Sequence, residues 1–118
     1  MIDVRLKRVY EPPQREDGYR VLVERLWPRG LARDKARIDE WTRELAPSDT
    51  LRRWYGHDPE RFEEFRRRYV RELSSEPDRL AELRRRARLG RVTFVFAVRE
   101  PRLSNATVLA SVLRRGLR

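Results

Sequence analysis

Residues Arg20 to Gly30 read R-V-L-V-E-R-L-W-P-R-G and set a carboxylate, two guanidiniums and an indole directly after a short apolar run. A run such as Val21-Leu22-Val23 reads as a buried strand. In open α/β sheets ligands bind in the crevice outside the strand ends. Glu24, Arg25, Trp27 and Arg29 are therefore placed where a site forms. A second group follows the apolar segment Val92 to Val98: Arg99, Glu100, Arg102, Ser104 and Asn105. If the two strands are parallel, both groups lie on one edge of the sheet. A guanidinium binds phosphate or carboxylate through two parallel hydrogen bonds, and a helix start at Asn105 adds free N–H groups that favour an anion. The expected ligand is an anionic small molecule, with nucleotides among the candidates, held by Arg25, Arg29 and Arg99 with help from Asn105. The competing reading is that Arg25 and Arg29 pair with Glu24, Glu100 or another acid and pin loops.

His57 is the one histidine. With an ordinary pKa of about 6.5 it can carry protons near neutral pH, or it simply packs between a turn and a helix start. Glu24 is a candidate acid or base if burial raises its pKa; two nearby arginines would lower it instead and leave it an orienting role. Ser48 and Ser104 have the residue type of nucleophiles but stand where helix caps are expected. Trp27, Trp41 and Trp54 could stack on a ring, although Trp41 and Trp54 fit a core better. A single histidine and no cysteine make zinc improbable, no cofactor is implied, and neither a phosphate-binding glycine loop nor a dinucleotide fingerprint occurs.

The chain has 118 residues, enough for one domain over 1–118 with one modest core. Without cysteine it has no disulfide frame. It has no apolar run long enough for a membrane helix and no signal-peptide pattern, so a cytoplasmic protein with no membrane partner is expected. The net charge of +10 is uneven: residues 79–118 hold 11 basic and 2 acidic side chains. That asymmetry admits a nucleic-acid or regulatory role for the basic C-terminal third. The excess of Arg over Lys also fits GC-rich coding. The oligomeric state is not legible.

Ile2, Val4 and Leu6 alternate with Asp3, Arg5 and Lys7, as in a half-exposed strand. A turn-rich loop leads to a second strand over roughly Tyr19 to Leu26, and its shortness favours an antiparallel pair. Ile38, Trp41 and Leu45 fall at helical spacing before Pro47. Ser48 caps a helix ending at Gly56, and Asp58-Pro59 opens another carrying Phe62, Phe65, Tyr69 and Leu73. Ser75 opens a helix with Leu80, Leu83 and Ala87 inward. Val92 to Val98 is apolar on both faces and belongs at the sheet centre. Ser104 caps a last helix with Val108, Leu109, Val112 and Leu113 inward. These elements predict an α/β fold: a small three-layer sandwich with a short, mostly parallel sheet of about three strands and four or five helices.

The stretch Glu24 to Gly30 resembles the D-R-L-W-P-R-G signature of the YeaO-like proteins of domain-of-unknown-function family 488. Lys7-Arg8-Val9-Tyr10 is similar to the end of that family's first strand. Ala46-Pro47-Ser48 followed by Leu51 to Asp58 resembles its A-P-S…L-R-x-W-F-x-H-D stretch. Phe65 to Tyr69 with Glu72-Leu73, and Asn105-Ala106, match in turn. The resemblance implies a small α/β protein whose activity is not established. It also implies that the first two strands are parallel, against the loop-length argument, and that pairing stays open. The chain departs from the pattern at Glu24, where the family usually has Asp, and at Ala106-Thr107, where a His is common.

Overall fold

The computed structural model describes residues 1–117. Four strands form one sheet: β1 (Val4–Arg8), β2 (Tyr19–Leu22), β3 (Glu40–Trp41) and β4 (Val92–Phe96). Their order is β1-β4-β2-β3, and every pair is parallel. Five helices accompany them: α1 (Arg33–Ala36), α2 (Asp49–Tyr55), α3 (Phe62–Leu73), α4 (Pro77–Leu89) and α5 (Asn105–Arg115). The expected α/β class, the largely parallel sheet and the helix count are all present. No described helix is long and apolar enough to cross a membrane.

Every residue of β4 is buried, and β4 takes the central place its two apolar faces require. Its Phe94 and Phe96 join Val4, Val21 and Val23 in the core that α2 to α5 cover. On the other face Val95, Leu22 and Val9 pack under Trp27, Leu31, Ile38 and Trp41. That layer is thin: one helical turn, α1, and irregular chain.

The antiparallel pair expected from loop length does not form, and the parallel orientation implied by the resemblance holds. The strands are parallel but not neighbours, because β4 lies between them. A short loop argues against a crossover through a long helix, not against a return through a turn and one 3-10 helix, Arg15–Asp17. The return must cover about 17 Å along a five-residue strand and about 10 Å sideways. Residues 9–18, at up to about 3.3 Å each, reach that distance easily. The return ends at Gly18, whose φ is +67° and where an added Cβ would collide with the Arg91 carbonyl oxygen.

The helix expected through Ile38, Trp41 and Leu45 does not form. Residues 40–41 are an edge strand, tied to the β2 segment by Asp39 N–H to Arg20 O (2.9 Å) and Thr42 N–H to Leu22 O (3.0 Å). Ile38 and Trp41 serve the thin layer while Leu45 enters the helical core. Their helical spacing comes from serving two different faces. Other helix signals hold. The Ser48 hydroxyl accepts from Leu51 N–H, Asp58 accepts from Glu60 N–H, and Ser104 accepts from Thr107 N–H. α4 starts at Pro77 rather than at Ser75, whose hydroxyl instead donates to Glu72 O.

Beneath the return loop lies a buried ionic cluster. Asp17 receives Arg20 Nη1 at 2.7 Å and Lys7 Nζ at 3.0 Å, and Arg20 is 3 % exposed. Arg20 also donates to the Ala36 and Arg37 carbonyls, which anchors α1 to the sheet. Burial alone would raise the Asp17 pKa. The Gln14 N–H, Lys7 and Arg20 outweigh it and hold the carboxyl below its usual range. Asp17→Ala leaves Arg20 buried without a counter-charge and is expected to cost about 3–5 kcal/mol in urea unfolding at neutral pH. Because the folded pKa is depressed, Asp17 contributes its stability above the ordinary carboxyl pKa of about 4 and loses it as pH falls through the folded value. The gap between wild type and Asp17→Ala should therefore narrow in acid.

Candidate functional site

Parallel pairing of β2 with β4 brings the chain after Leu22 beside the chain after Phe96. Val23 N–H still reaches Val95 O at 3.4 Å, so the next residue, Glu24, stands against Ala97. Ala97 N–H donates to Glu24 Oε1 at 3.0 Å. The second carboxylate oxygen has no hydrogen-bond partner among the described residues. A cavity of about 320 Å³ opens there, within the size of small-molecule sites. Trp27, Pro28, Tyr55, Phe65, Val98 and Leu103 supply apolar wall, and Glu24, Arg25, Arg52, His57 and Asn105 supply the charged and polar groups.

Of the expected site residues, Glu24, Arg25, Trp27, His57 and Asn105 thus meet around one cavity. Arg29 and Arg99 do not line it. Arg29 is exposed and contributes its carbonyl oxygen to the Tyr10 hydroxyl (2.9 Å). Arg99 is exposed in a neighbouring hollow that His57 also borders. Glu100 stays with Arg102, receiving its Nε at 3.2 Å, and does not meet Glu24.

Arg25 takes the loop-pinning role. Its Nε donates to Pro47 O at 3.1 Å and its Nη2 to Ala46 O at 3.4 Å. The stretch after β2 is thereby clamped to the Ala46-Pro47-Ser48 segment. The Trp27 indole N–H goes to Leu31 O at 2.7 Å and its ring meets Trp41 edge-on at 5.4 Å, so it forms wall rather than an open stacking face. Asn105 Nδ2 donates to Val23 O at 2.8 Å and fastens α5 to the end of β2. His57 has a φ of 59°, follows Gly56 at φ 53°, and meets the Tyr55 ring edge-on at 5.8 Å. Two successive left-handed residues are uncommon and hold the imidazole out at the rim.

Both candidate serines are caps. Ser48 Oγ accepts from Leu51 N–H at 3.1 Å and donates to Glu72 at 2.6 Å. Ser104 Oγ accepts from Thr107 N–H at 3.3 Å and donates to Pro101 O at 2.7 Å. Among the described residues no three His, Asp or Glu side chains cluster as metal ligands.

The electrostatics reverse one expectation. Burial raises the Glu24 pKa, and neither the Ala97 N–H nor the Arg52 charge cancels it. The Arg25 guanidinium that would have lowered it is turned to carbonyls instead. A carboxyl with a raised pKa in a cleft is a candidate for function. Arg52 was missed from the sequence, where it reads as one more exposed helix arginine. Phe65 reads as core, and its ring stack with Tyr55 (4.2 Å) is core on one side and cavity wall on the other.

The basic C-terminal third is largely engaged internally. Arg84 donates to Leu113 O and Val112 O, Arg114 to Val4 O, and Arg91 to Asp3 and Glu16 O. Arg86 lies 3.9 Å over the Tyr19 ring, and Arg79 and Arg102 pair with Glu44 and Glu100.

The chain belongs to the DUF488 family: the family model described as the inactive DUF488-N3 subclade matches residues 3–118. It is 48 % identical over 110 residues to an uncharacterised protein of Mycobacterium tuberculosis, a match covering 93 % of this chain and 92 % of that one. It is 36 % identical over 116 residues to the uncharacterised protein YeaO of Escherichia coli, covering 96 % and 98 %. No solved structure matches.

The raised Glu24 pKa has a stability consequence of definite sign. A group whose folded pKa lies above its unfolded value stabilises the fold at low pH, and that contribution disappears as pH rises through the folded pKa. Glu24→Gln keeps an acceptor for Ala97 N–H and removes the charge. It should melt above wild type at neutral pH, with the difference closing as pH falls below the ordinary glutamate range. A variant less stable than wild type at pH 7 would show that the carboxylate charge is compensated.

Proposed function

We propose that this member of the DUF488 family is a small-molecule binding protein whose ligand occupies the cavity at the carboxyl ends of β2 and β4. The observation that carries this reading is Glu24: a desolvated carboxyl lining a largely apolar cavity, with one oxygen bound to Ala97 N–H and the other without a partner among the described residues. Such a group suits a ligand that offers a hydrogen-bond donor. A charge-assisted bond of that kind is worth about 1.5–3 kcal/mol.

Binding fits better than turnover. The two serines hold their hydroxyls in caps, the imidazole stands at the rim, and the matching subclade is described as inactive. An anionic ligand remains the reading, with one refinement. Glu24 opposes a negative group at the cavity floor, so the uncharged part of the ligand faces it and the acidic part lies toward the rim. The nucleic-acid alternative is weaker, because Arg79, Arg91 and Arg102 are offset by Glu44, Asp3 and Glu100.

A thermal-shift panel of nucleotides, sugar phosphates, amino acids and short oligonucleotides tests the choice. A saturable rise in melting temperature is expected from a small molecule. Its affinity should fall about tenfold in Glu24→Gln, and Arg29→Ala should leave it unchanged. Equal affinity in wild type and Glu24→Gln would remove the cavity from the account. Shifts from oligonucleotides alone, fading with salt, would move function to the basic surface.

A further inference from the structure

The cavity does not end at His57. A second hollow of about 360 Å³ opens beyond it, and His57, Ala97, Val98 and Leu103 border both. The two hollows are successive compartments of one cleft, with His57 at the boundary. Their unpaired groups differ, because both guanidiniums of the inner hollow, Arg25 and Arg52, face Asp49, at 4.0 and 3.1 Å. The inner one holds the Glu24 carboxyl over apolar wall. The outer one adds Arg8, Arg99 and Glu100.

The outer cations are uncompensated. Arg8 is fixed by Nε to Val98 O and Nη2 to Ala97 O, both at 3.1 Å. Carbonyl oxygens orient a guanidinium without cancelling its charge. Arg99 is exposed and has no hydrogen-bond or ion-pair partner among the described residues. The one acid present, Glu100, is engaged by the Arg102 side chain and by Arg102 N–H at 3.2 Å. His57 makes no hydrogen bond among the described residues and can donate one. A preorganised guanidinium, a free guanidinium and an imidazole around one hollow match the donor pattern that a phosphate or carboxylate requires.

We propose that the outer hollow is an anion subsite and that the ligand is bipartite. A phosphate or carboxylate sits among Arg8, Arg99 and His57, and a neutral, donor-bearing body reaches inward to Glu24. This inference rests on the cavity reading above for the inner half, while the outer half stands on its own residues. The arrangement also explains how an anionic ligand can share a cleft with a half-buried carboxyl: the two negative groups occupy separate compartments.

Inorganic phosphate is the first probe, followed by backbone amide NMR on the full chain. Saturable, millimolar binding should move the amides of His57 and of residues 98–100. Arg99→Ala should weaken it at least several-fold, whereas Arg85→Ala, at a residue lining neither hollow, should not. No saturable shift at those amides, or equal weakening by the two variants, overturns the subsite. Matched pairs then test the linkage: adenosine against adenosine monophosphate, and pyridoxine against pyridoxine phosphate. The charged member should bind about tenfold more tightly, as one charge-assisted contact predicts, and Arg99→Ala should abolish the advantage. A phosphate response that survives while neutral members bind wild type and Glu24→Gln alike would keep the anion subsite and remove the inner reading. Charged and neutral members binding alike would overturn the bipartite ligand.

Discussion

The central, doubly buried position of β4 is the constraint on which the rest of the structure depends. A strand apolar on both faces must be covered on both, and parallel neighbours on each side satisfy its backbone groups. With β4 between β1 and β2, the return from β1 crosses the sheet as a loop with one 3-10 turn (Arg15–Asp17), and its polar residues need partners there. Asp17, Arg20 and Lys7 answer that need. The same placement sets the ends of β2 and β4 side by side. Glu24 then has Ala97 N–H within reach, and Asn105 has Val23 O. The cleft is thus a product of strand order. Residues 73 positions apart in sequence meet because two parallel strands end together.

Two acids near the sheet show how environment divides one residue type into two roles. Asp17 collects two cations and a backbone N–H, and its pKa falls despite burial. Glu24 has one backbone donor and a more distant arginine, and burial wins. The difference lies in where the nearby guanidiniums go. Arg20 turns to its acid, whereas Arg25 turns to the carbonyls of Pro47 and Ala46. Asp17 therefore holds the fold, and Glu24 is left incompletely paired beside a cavity. An incompletely paired group in otherwise well-satisfied surroundings is where function is expected to conflict with local stability.

Much of this was legible in the sequence because it rests on local chemistry. Ser48, Asp58 and Ser104 cap as their types predict, and the stripe Phe62, Phe65, Tyr69 and Leu73 lies on α3. The apolar character of residues 92–98 placed that strand at the centre. Five of the seven expected site residues reach one cavity: Glu24, Arg25, Trp27 and Asn105 because they follow strands that share an edge, and His57 from the end of α2. What was not legible depends on long-range geometry. The β1–β2 relationship turns on a strand from the far end of the chain. The segment 38–45 has helical spacing only because its apolar residues serve two layers. A guanidinium's direction cannot be read from composition, so Arg25 and the shift at Glu24 needed the fold. Arg29 sits one residue past the turn that carries Trp27 and Pro28 to the wall, and it faces away.

The central claim is that the Glu24 carboxyl is desolvated in the cleft where β2 and β4 end. A carbon-13 NMR titration of its side-chain carboxyl in the native protein measures that directly. The structure predicts a midpoint clearly above the ordinary glutamate value of about 4.3, together with matching movement of the Ala97 amide as its acceptor changes charge. A midpoint at or below the ordinary value, or an Ala97 amide that does not follow it, would contradict the account.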